Sequence, residues 1–290
     1  MPGRRLEFGV SLEPRADRVE ENLRLARAAE RLGLELIGIQ DHPYQRRFLD
    51  TWTYITWLAA ATSRISFFPD VANLPLRPPA VLAKSAASLD LLTGGRVELA
   101  IGAGGFPDAV AAMGGPRRTP GEAVAATAEA IKVIRAAWSQ ERSVRVDGEH
   151  YRLRGYKPGP PPAHDIGIWV GAGGDRMLDL IGRAADGWVP SLGWLPPGRM
   201  PERQARIDAA ATAAGRDPAT IRRVLNVSGR IGPEPGEPLD GPVEHWVEAL
   251  TGLTVSGGMD TYILWPAEDR TEQLELFASE VVPAVREATA

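Results

Sequence analysis

Cysteine is missing altogether from the 290 residues, which excludes disulfides, thiolate metal sites and a cysteine nucleophile. A reducing cytoplasm suits such a chain and is the expected location. Lysine is scarce: Lys84, Lys132 and Lys157 stand against thirty arginines, a compositional bias that carries no chemistry by itself. Histidine occurs four times, and no His/carboxylate spacing of the metalloprotease or facial-triad kind is present, so no metal site is expected. No apolar stretch is long enough to span a bilayer, and Met1-Pro2-Gly3-Arg4-Arg5 leads straight into a strand. Neither a membrane helix nor a signal peptide is therefore expected. Long runs of like charge are absent as well. With 33 basic against 37 acidic residues and a net charge of −4, the chain carries no nucleic-acid footprint.

What the chain does have is material for a large core, 44% hydrophobic residues, laid out in a repeating order. Strands are expected over 6–12, 34–40, 65–71, 97–101, 166–170, 187–189, 223–227 and 261–265. Helices are expected over 18–32, 51–61, 80–92, 120–138, from 175 onward, and over 201–214, 242–253 and 271–287. In the first of these Val19, Leu23, Ala26, Ala29 and Leu32 recur every three or four positions, and Gly33 supplies the stop. Residues 145–154, with Asp147-Gly148 as the turn signal, read as a small hairpin outside the repeat. Strand–helix alternation requires crossover connections and hence a parallel sheet. Eight such units favour closure, so the expected class is α/β, a (β/α)8 TIM barrel with a hairpin insertion; an open doubly wound sheet is the competing reading. No linker-like tract divides the chain, and residues 1–290 are read as one domain.

In a barrel of this kind active sites form where the strands exit, all on one rim. Asp41-His42 stands at the exit of the second strand. A carboxylate and an imidazole at the end of a buried strand must find polar partners and rarely serve packing alone. The other exits add Glu13, Asp70, Asn73, Ser191 and Asn226 to the same mouth. Two exits are glycine-rich, Gly102-Ala103-Gly104-Gly105 and Gly171-Ala172-Gly173-Gly174, and present bare backbone N–H groups. The second opens a helix whose orphan donors can receive a phosphate, with Arg176 in the first turn adding a charge-assisted contact. Plainer readings stand beside these: tight turns for the glycines, a cap for Asp41, a turn residue for Glu13, core for the stretch from Trp52 to Trp57. His150, His164 and His245 read as non-functional. None of the three lysines lies at a strand exit, which disfavours a Schiff-base lyase.

The segments Gln40-Asp41-His42, Asp70-Val71-Ala72-Asn73-Leu74-Pro75-Leu76-Arg77, Leu92-Thr93-Gly94-Gly95-Arg96, Gly102-Ala103-Gly104, Gly171-Ala172-Gly173-Gly174 and Gly182-Arg183-Ala184-Ala185-Asp186-Gly187-Trp188 follow one another in a distinctive order. Through them the chain resembles the bacterial luciferase-like monooxygenase superfamily, flavin- or deazaflavin-dependent oxidoreductases on a (β/α)8 barrel. The resemblance implies a non-proline cis peptide at the third exit, joining Asp70 and Val71 and buttressing the cofactor ring, with Asn73 near the ring's polar edge. It implies that Gly104, Gly173 and Gly174 cradle the cofactor phosphate, that Asp41 contacts the ring, and that His42 faces the reacting atom as the catalytic group. The cofactor it implies is F420, used for hydride transfer to or from a small organic substrate. The alternative is reduced FMN, used by a monooxygenase with a separate flavin reductase. A homodimer paired through helices of the second and third units is also implied. The chain departs from the sugar-phosphate dehydrogenase branch, where a glutamate follows the fourth-strand glycines; Gly105-Phe106 stand here instead. Phe106, Met113, Gly114 and the region from Trp188 to Trp194 suggest a fairly apolar substrate pocket.

Overall fold

Each apolar run of the sequence forms a strand, and the amphipathic segment behind it folds back as a helix. The computed structural model describes residues 5–234, 236 and 239–290. In chain order the elements are β1 (Glu7–Leu12), α1 (Val19–Arg31), β2 (Leu36–Ile39), α2 (Thr51–Ala60), β3 (Ser66–Pro69), β4 (Ala72–Asn73), α3 (Pro79–Thr93) and β5 (Leu99–Gly102). There follow α4 (Pro107–Ala112), α5 (Pro120–Trp138), β6 (Val144–Asp147), β7 (Arg152–Tyr156), β8 (Ile168–Gly171), α6 (Asp175–Ala184) and β9 (Gly187–Trp188). The chain ends with α7 (Met200–Ala213), β10 (Arg222–Ser228), α8 (Val243–Val255), β11 (Thr261–Trp265), α9 (Arg270–Leu276) and α10 (Val282–Ala288).

Among the described residues nine strands form one sheet in the order β3-β2-β1-β11-β10-β9-β8-β5-β4, and every pair in it is parallel. The two ends meet. Phe67 of β3 bridges Val97 ahead of β5, the Phe67 N–H donating to Arg96 O and the Glu98 N–H to Phe67 O, both at 2.9 Å. The sheet is therefore a barrel, the expected class. The third strand, expected as 65–71, is interrupted: the Asp70–Val71 peptide is cis, and pairing resumes at Ala72 on β5. Two further departures are local. The short α4 follows the fourth exit, and a π-helical turn, Phe277–Val281, separates α9 from α10 where one helix was expected. The hairpin β6–β7 packs on α5, whose Glu129 carboxylate accepts the N–H groups of Glu149, His150 and Tyr151 at 2.8–2.9 Å.

Alternation along the strands splits the apolar residues into two cores. Phe8, Val10, Leu12, Ile37, Ile39, Phe67, Leu99, Ile101, Ile168 and Val170 face the helices. The opposite set, Leu36, Phe68, Ala100, Trp169, Val189, Val224 and Ile263, forms a separate buried cluster within the barrel. Phe68 and Trp169 lie with ring centroids 5.3 Å apart at its centre. This plug closes the barrel from below.

Candidate active site

The residues two positions further along those strands set the floor of a cavity. Leu36 gives way to Gly38, Phe68 to Asp70, Ala100 to Gly102, Trp169 to Gly171, Val189 to Ser191, Val224 to Asn226 and Ile263 to Trp265. One layer is bulky and apolar; the next is small or polar. A cavity of about 790 Å³ opens above the plug, lined by Asp70, Gly102, Gly171, Ser191, Asn226 and Trp265 together with Asp41, His42, Val71, Asn73, Gly104 and Gly173. Gly102 and Gly171 both press on Val71: a Cβ on Gly102 would lie 2.5 Å from Val71 Cγ2, and one on Gly171 3.1 Å from it. The bare backbone of these two strand ends is what lets Val71 enter the barrel.

Asp41 is fully buried, and its carboxylate is saturated by the protein. Arg77 grips it with two bonds, Nε to Oδ2 at 2.5 Å and Nη2 to Oδ1 at 2.7 Å, and the Asn73 N–H donates to Oδ2 at 2.8 Å. Arg77 Nη2 also reaches Asp50 at 2.8 Å, the N-cap of α2. Burial opposes the charge on Arg77, but Asp41 and Asp50 outweigh it and hold the guanidinium above its ordinary value. Asp41 thus fixes the exits of the second and third strands to each other and acts through its neighbours.

His42 follows directly and turns into the cavity. Its ring lies 5.4 Å from that of Tyr44 and 5.5 Å from that of Phe106, with Tyr44 and Phe106 6.0 Å apart, so three rings wall one side of the mouth. Burial lowers the His42 pKa from its ordinary 6.5, against a weaker upward pull from Asp41. Burial also raises Tyr44. At neutral pH the pair is a neutral imidazole and a protonated phenol. Lower down, Asp70 is buried; Asn226 Nδ2 donates to its Oδ1 at 3.1 Å and also reaches Ser191 Oγ at 3.3 Å.

Both glycine turns line the same cavity as His42. Gly104 adopts φ +90°, and a Cβ there would lie 2.8 Å from Pro75 Cγ. Only glycine makes this turn without strain. Trp188 braces the second turn from behind, its Nε1–H donating to Ala172 O at 2.8 Å.

Several expected residues lie elsewhere. Gly174 and Arg176 fall outside the cavity lining: Arg176 is exposed in the first turn of α6, with its guanidinium beside Gly121 at the start of α5. Glu13 is a turn residue, its carbonyl taken by Asn22 and its carboxylate 3.6 Å from Arg18. Trp188 is core, and Met113 ends α4 away from the lining, so the apolar wall consists of Phe106, Tyr44, Trp194 and Leu195. In the sequence Arg77 stands out only as part of a longer motif, and Trp265 reads only as the last residue of a strand. Reading the barrel strands two residues at a time past the last bulky apolar position would have found Trp265, as it finds Asp70 and Asn226.

The luciferase-like monooxygenase family model matches residues 6–238. An F420-dependent glucose-6-phosphate dehydrogenase of Kineococcus radiotolerans is 30% identical over 218 residues, 73% of this chain and 64% of that protein, so the match spans just under two thirds of that relative. An F420-dependent hydroxymycolic acid dehydrogenase of Mycobacterium tuberculosis is 31% identical over 233 residues, 77% of this chain and 62% of that one. In fold, the chain is similar to an F420-dependent secondary alcohol dehydrogenase solved in complex with an F420-acetone adduct. The TM-score is 0.87 at 18% identity, covering 98% of this chain and 100% of that one. With the family model matching most of its length, this chain belongs to the luciferase-like monooxygenase family.

Proposed function

We propose that the chain is an oxidoreductase that binds the deazaflavin F420 in this cavity and moves a hydride between it and a small, moderately apolar organic substrate. The observation that carries the reading is the meeting of His42, the Asp70–Val71 peptide, Asn73 and both glycine turns in one hollow. The residues suit a flat polar ring with an anionic tail. Asp70 Oδ2, Asn73 Oδ1, Asn226 Oδ1 and Trp265 Nε1 are buried with no hydrogen-bond partner among the described residues, and buried polar groups are rarely left so. Gly105 and Gly173 have open space where a Cβ would stand, leaving the backbone free to meet a phosphate. Gly104 and Gly173 would form this cradle; Gly174 and Arg176 follow it at the start of α6, outside the lining.

When bound, F420 supplies a two-electron acceptor or donor at C5 of its ring. His42 handles the proton. As a neutral imidazole it accepts the hydroxyl proton of an alcohol while the carbinol hydride departs, and it returns that proton when a carbonyl is reduced. Tyr44, held protonated, donates to the substrate oxygen. Asp41, through Arg77, keeps Asn73 and the turn before His42 in register.

Among the described residues the lining holds no lysine or arginine, and Gly105-Phe106 stand after the fourth strand, where the sugar-phosphate branch has a glutamate following its glycines. An uncharged alcohol or its ketone fits this wall; a phosphorylated sugar finds no cation. Fluorescence titration is the test. Micromolar affinity for F420 with none for reduced FMN is expected. The reverse result assigns an FMN-dependent monooxygenase served by a separate reductase, and binding of neither at millimolar concentration removes both.

The chain is read further as one luciferase-like domain over 1–290, cytoplasmic and homodimeric. No helix among the described residues is long and apolar enough to cross a membrane. Trp57 on α2 and Val81 and Leu92 on α3 leave apolar surface exposed, which supports pairing through the second and third units.

A further inference from the structure

Hydride transfer with His42 as proton acceptor leaves one carboxyl of the cavity unused. Asp70 is 6% exposed; its Oδ1 accepts from Asn226, and its Oδ2 has no partner among the described residues. Among the described residues no element around it supplies a counter-charge. From β2 comes Gly38, where a Cβ would lie 3.1 Å from Asp70 Oδ2; from β10 comes Asn226; from β11 comes Trp265, whose indole N–H faces the carboxyl without forming a well-made bond. The remaining ionisable groups of the lining are Asp41, neutralised by Arg77, and His42 and Tyr44, which wall the mouth with Phe106. An isolated carboxylate is far costlier to bury here than the neutral acid.

We propose that Asp70 is kept as the neutral acid, offering its Oδ2–H into the cavity as a hydrogen-bond donor to the polar edge of the bound ring, so that cofactor binding is linked to one proton on this side chain. The proposal rests on the reading that a deazaflavin occupies the cavity. The pattern of unpartnered atoms carries it. With Asp70 protonated, the floor presents two donors, Asp70 O–H and Trp265 Nε1–H, and two acceptors, Asn73 Oδ1 and Asn226 Oδ1. A pyrimidinedione edge carries two carbonyl oxygens with an N–H between them, and such an edge consumes both kinds. Ionisation of Asp70 would turn one donor into an acceptor and set a negative charge against a ring carbonyl. Burial pushes the Asp70 carboxyl up to about 7, with Asn226 and Trp265 pulling the other way, so the change falls near neutrality.

The test compares F420 affinity from about pH 5.5 to about pH 9 in the wild type, Asp70→Asn and Asp70→Ser. The carboxamide and the hydroxyl keep a neutral donor at every pH. Any slope shared by all three proteins belongs to F420 or to His42. Above neutrality the wild type should lose about tenfold in affinity per pH unit beyond that shared slope, the slope of a single linked proton. Superimposable slopes in wild type and Asp70→Asn overturn the proposal. Infrared spectroscopy of the cofactor-free protein gives a second reading that needs no ring. A protonated-carboxyl band that titrates near neutrality and vanishes in Asp70→Asn supports the acid; no such band in the wild type at about pH 6 refutes it. A wild-type protein that binds F420 at no pH refutes the deazaflavin reading, and the infrared band then still decides the state of Asp70.

Discussion

At the scale of single residues, Asp41 and His42 are neighbours with opposite duties. If His42 moves the proton and does not hold the ring, as proposed, replacing it by Ala should cut turnover by about 10²–10⁴-fold while F420 affinity changes little. Its depressed pKa gives the pH profile a sign: in alcohol oxidation kcat/KM should rise with pH through a value below 6.5 and then level off. A profile still climbing well above 6.5 would take the proton-accepting role from His42. Asp41 is different. Arg77→Met would leave a fully buried carboxylate without its counter-charge, and about 3–5 kcal/mol of stability should be lost in urea unfolding. Adding Asp41→Asn to that variant should recover part of the loss, since the two residues form one unit. The strand exit marked Asp41 as a site residue; that its oxygens are spent on Arg77 and Asn73 depended on where residues 73 and 77 lie.

At the scale of elements, the lower end of the barrel holds a second polar cluster, far from the mouth. Asp90 of α3 accepts the N–H groups of Ala163 and His164 with one oxygen, and His164 Nδ1 at 2.9 Å with the other; His164 Nε2 lies 3.5 Å from Glu98. Glu98 first, then Asp90, raise the His164 pKa to about 9 against the opposing effect of burial. Because the folded value lies above the unfolded one, the stabilisation is complete below about 6.5 and fades as pH climbs through about 9. Thermal midpoints of the wild type should therefore fall across that interval, and His164→Gln should flatten the fall. An equal alkaline slope in the variant would count against the staple. His164 lies at the closed end, outside the lining of the cavity. The loop it pins carries the chain from the hairpin into β8, so its duty is structural.

At the scale of the whole molecule, a bulky layer under a polar layer makes a closed barrel into a cup. Trp169 and Phe68 fill the base; one layer higher Asp70 and Asn226 replace apolar residues, and Gly38, Gly102 and Gly171 leave room for Asp70 and Val71 at the cavity floor. The outer surface has its own irregularity in the exposed Trp57, Val81 and Leu92. If that face joins two copies, Leu92→Asp should shift the sedimenting mass from two chains to one at micromolar concentration and leave F420 affinity within about twofold, since Leu92 lies outside the cavity lining. A wild type already monomeric under those conditions would remove the pairing.

Repetition of short spacings made the architecture legible from the chain alone: period two in the strands, period three to four in the helices, and glycine at two exits. These signals are written in neighbouring residues, so eight strands, most of their helices, the hairpin and the rim position of His42 are legible in the chain itself, whereas the short α4 and the π-turn in the last helix are not. Partnership across the barrel could not. Asp41 meets Arg77 across 36 residues, His164 meets Asp90 across 74, and Asn226 meets Asp70 across 156. Such pairs arise only when the sheet closes and strand register brings distant layers level, and no local spacing rule encodes that closure. Hence the chain announced a cavity mouth, whereas its uncompensated carboxyl and the cavity above it exist only in the folded barrel.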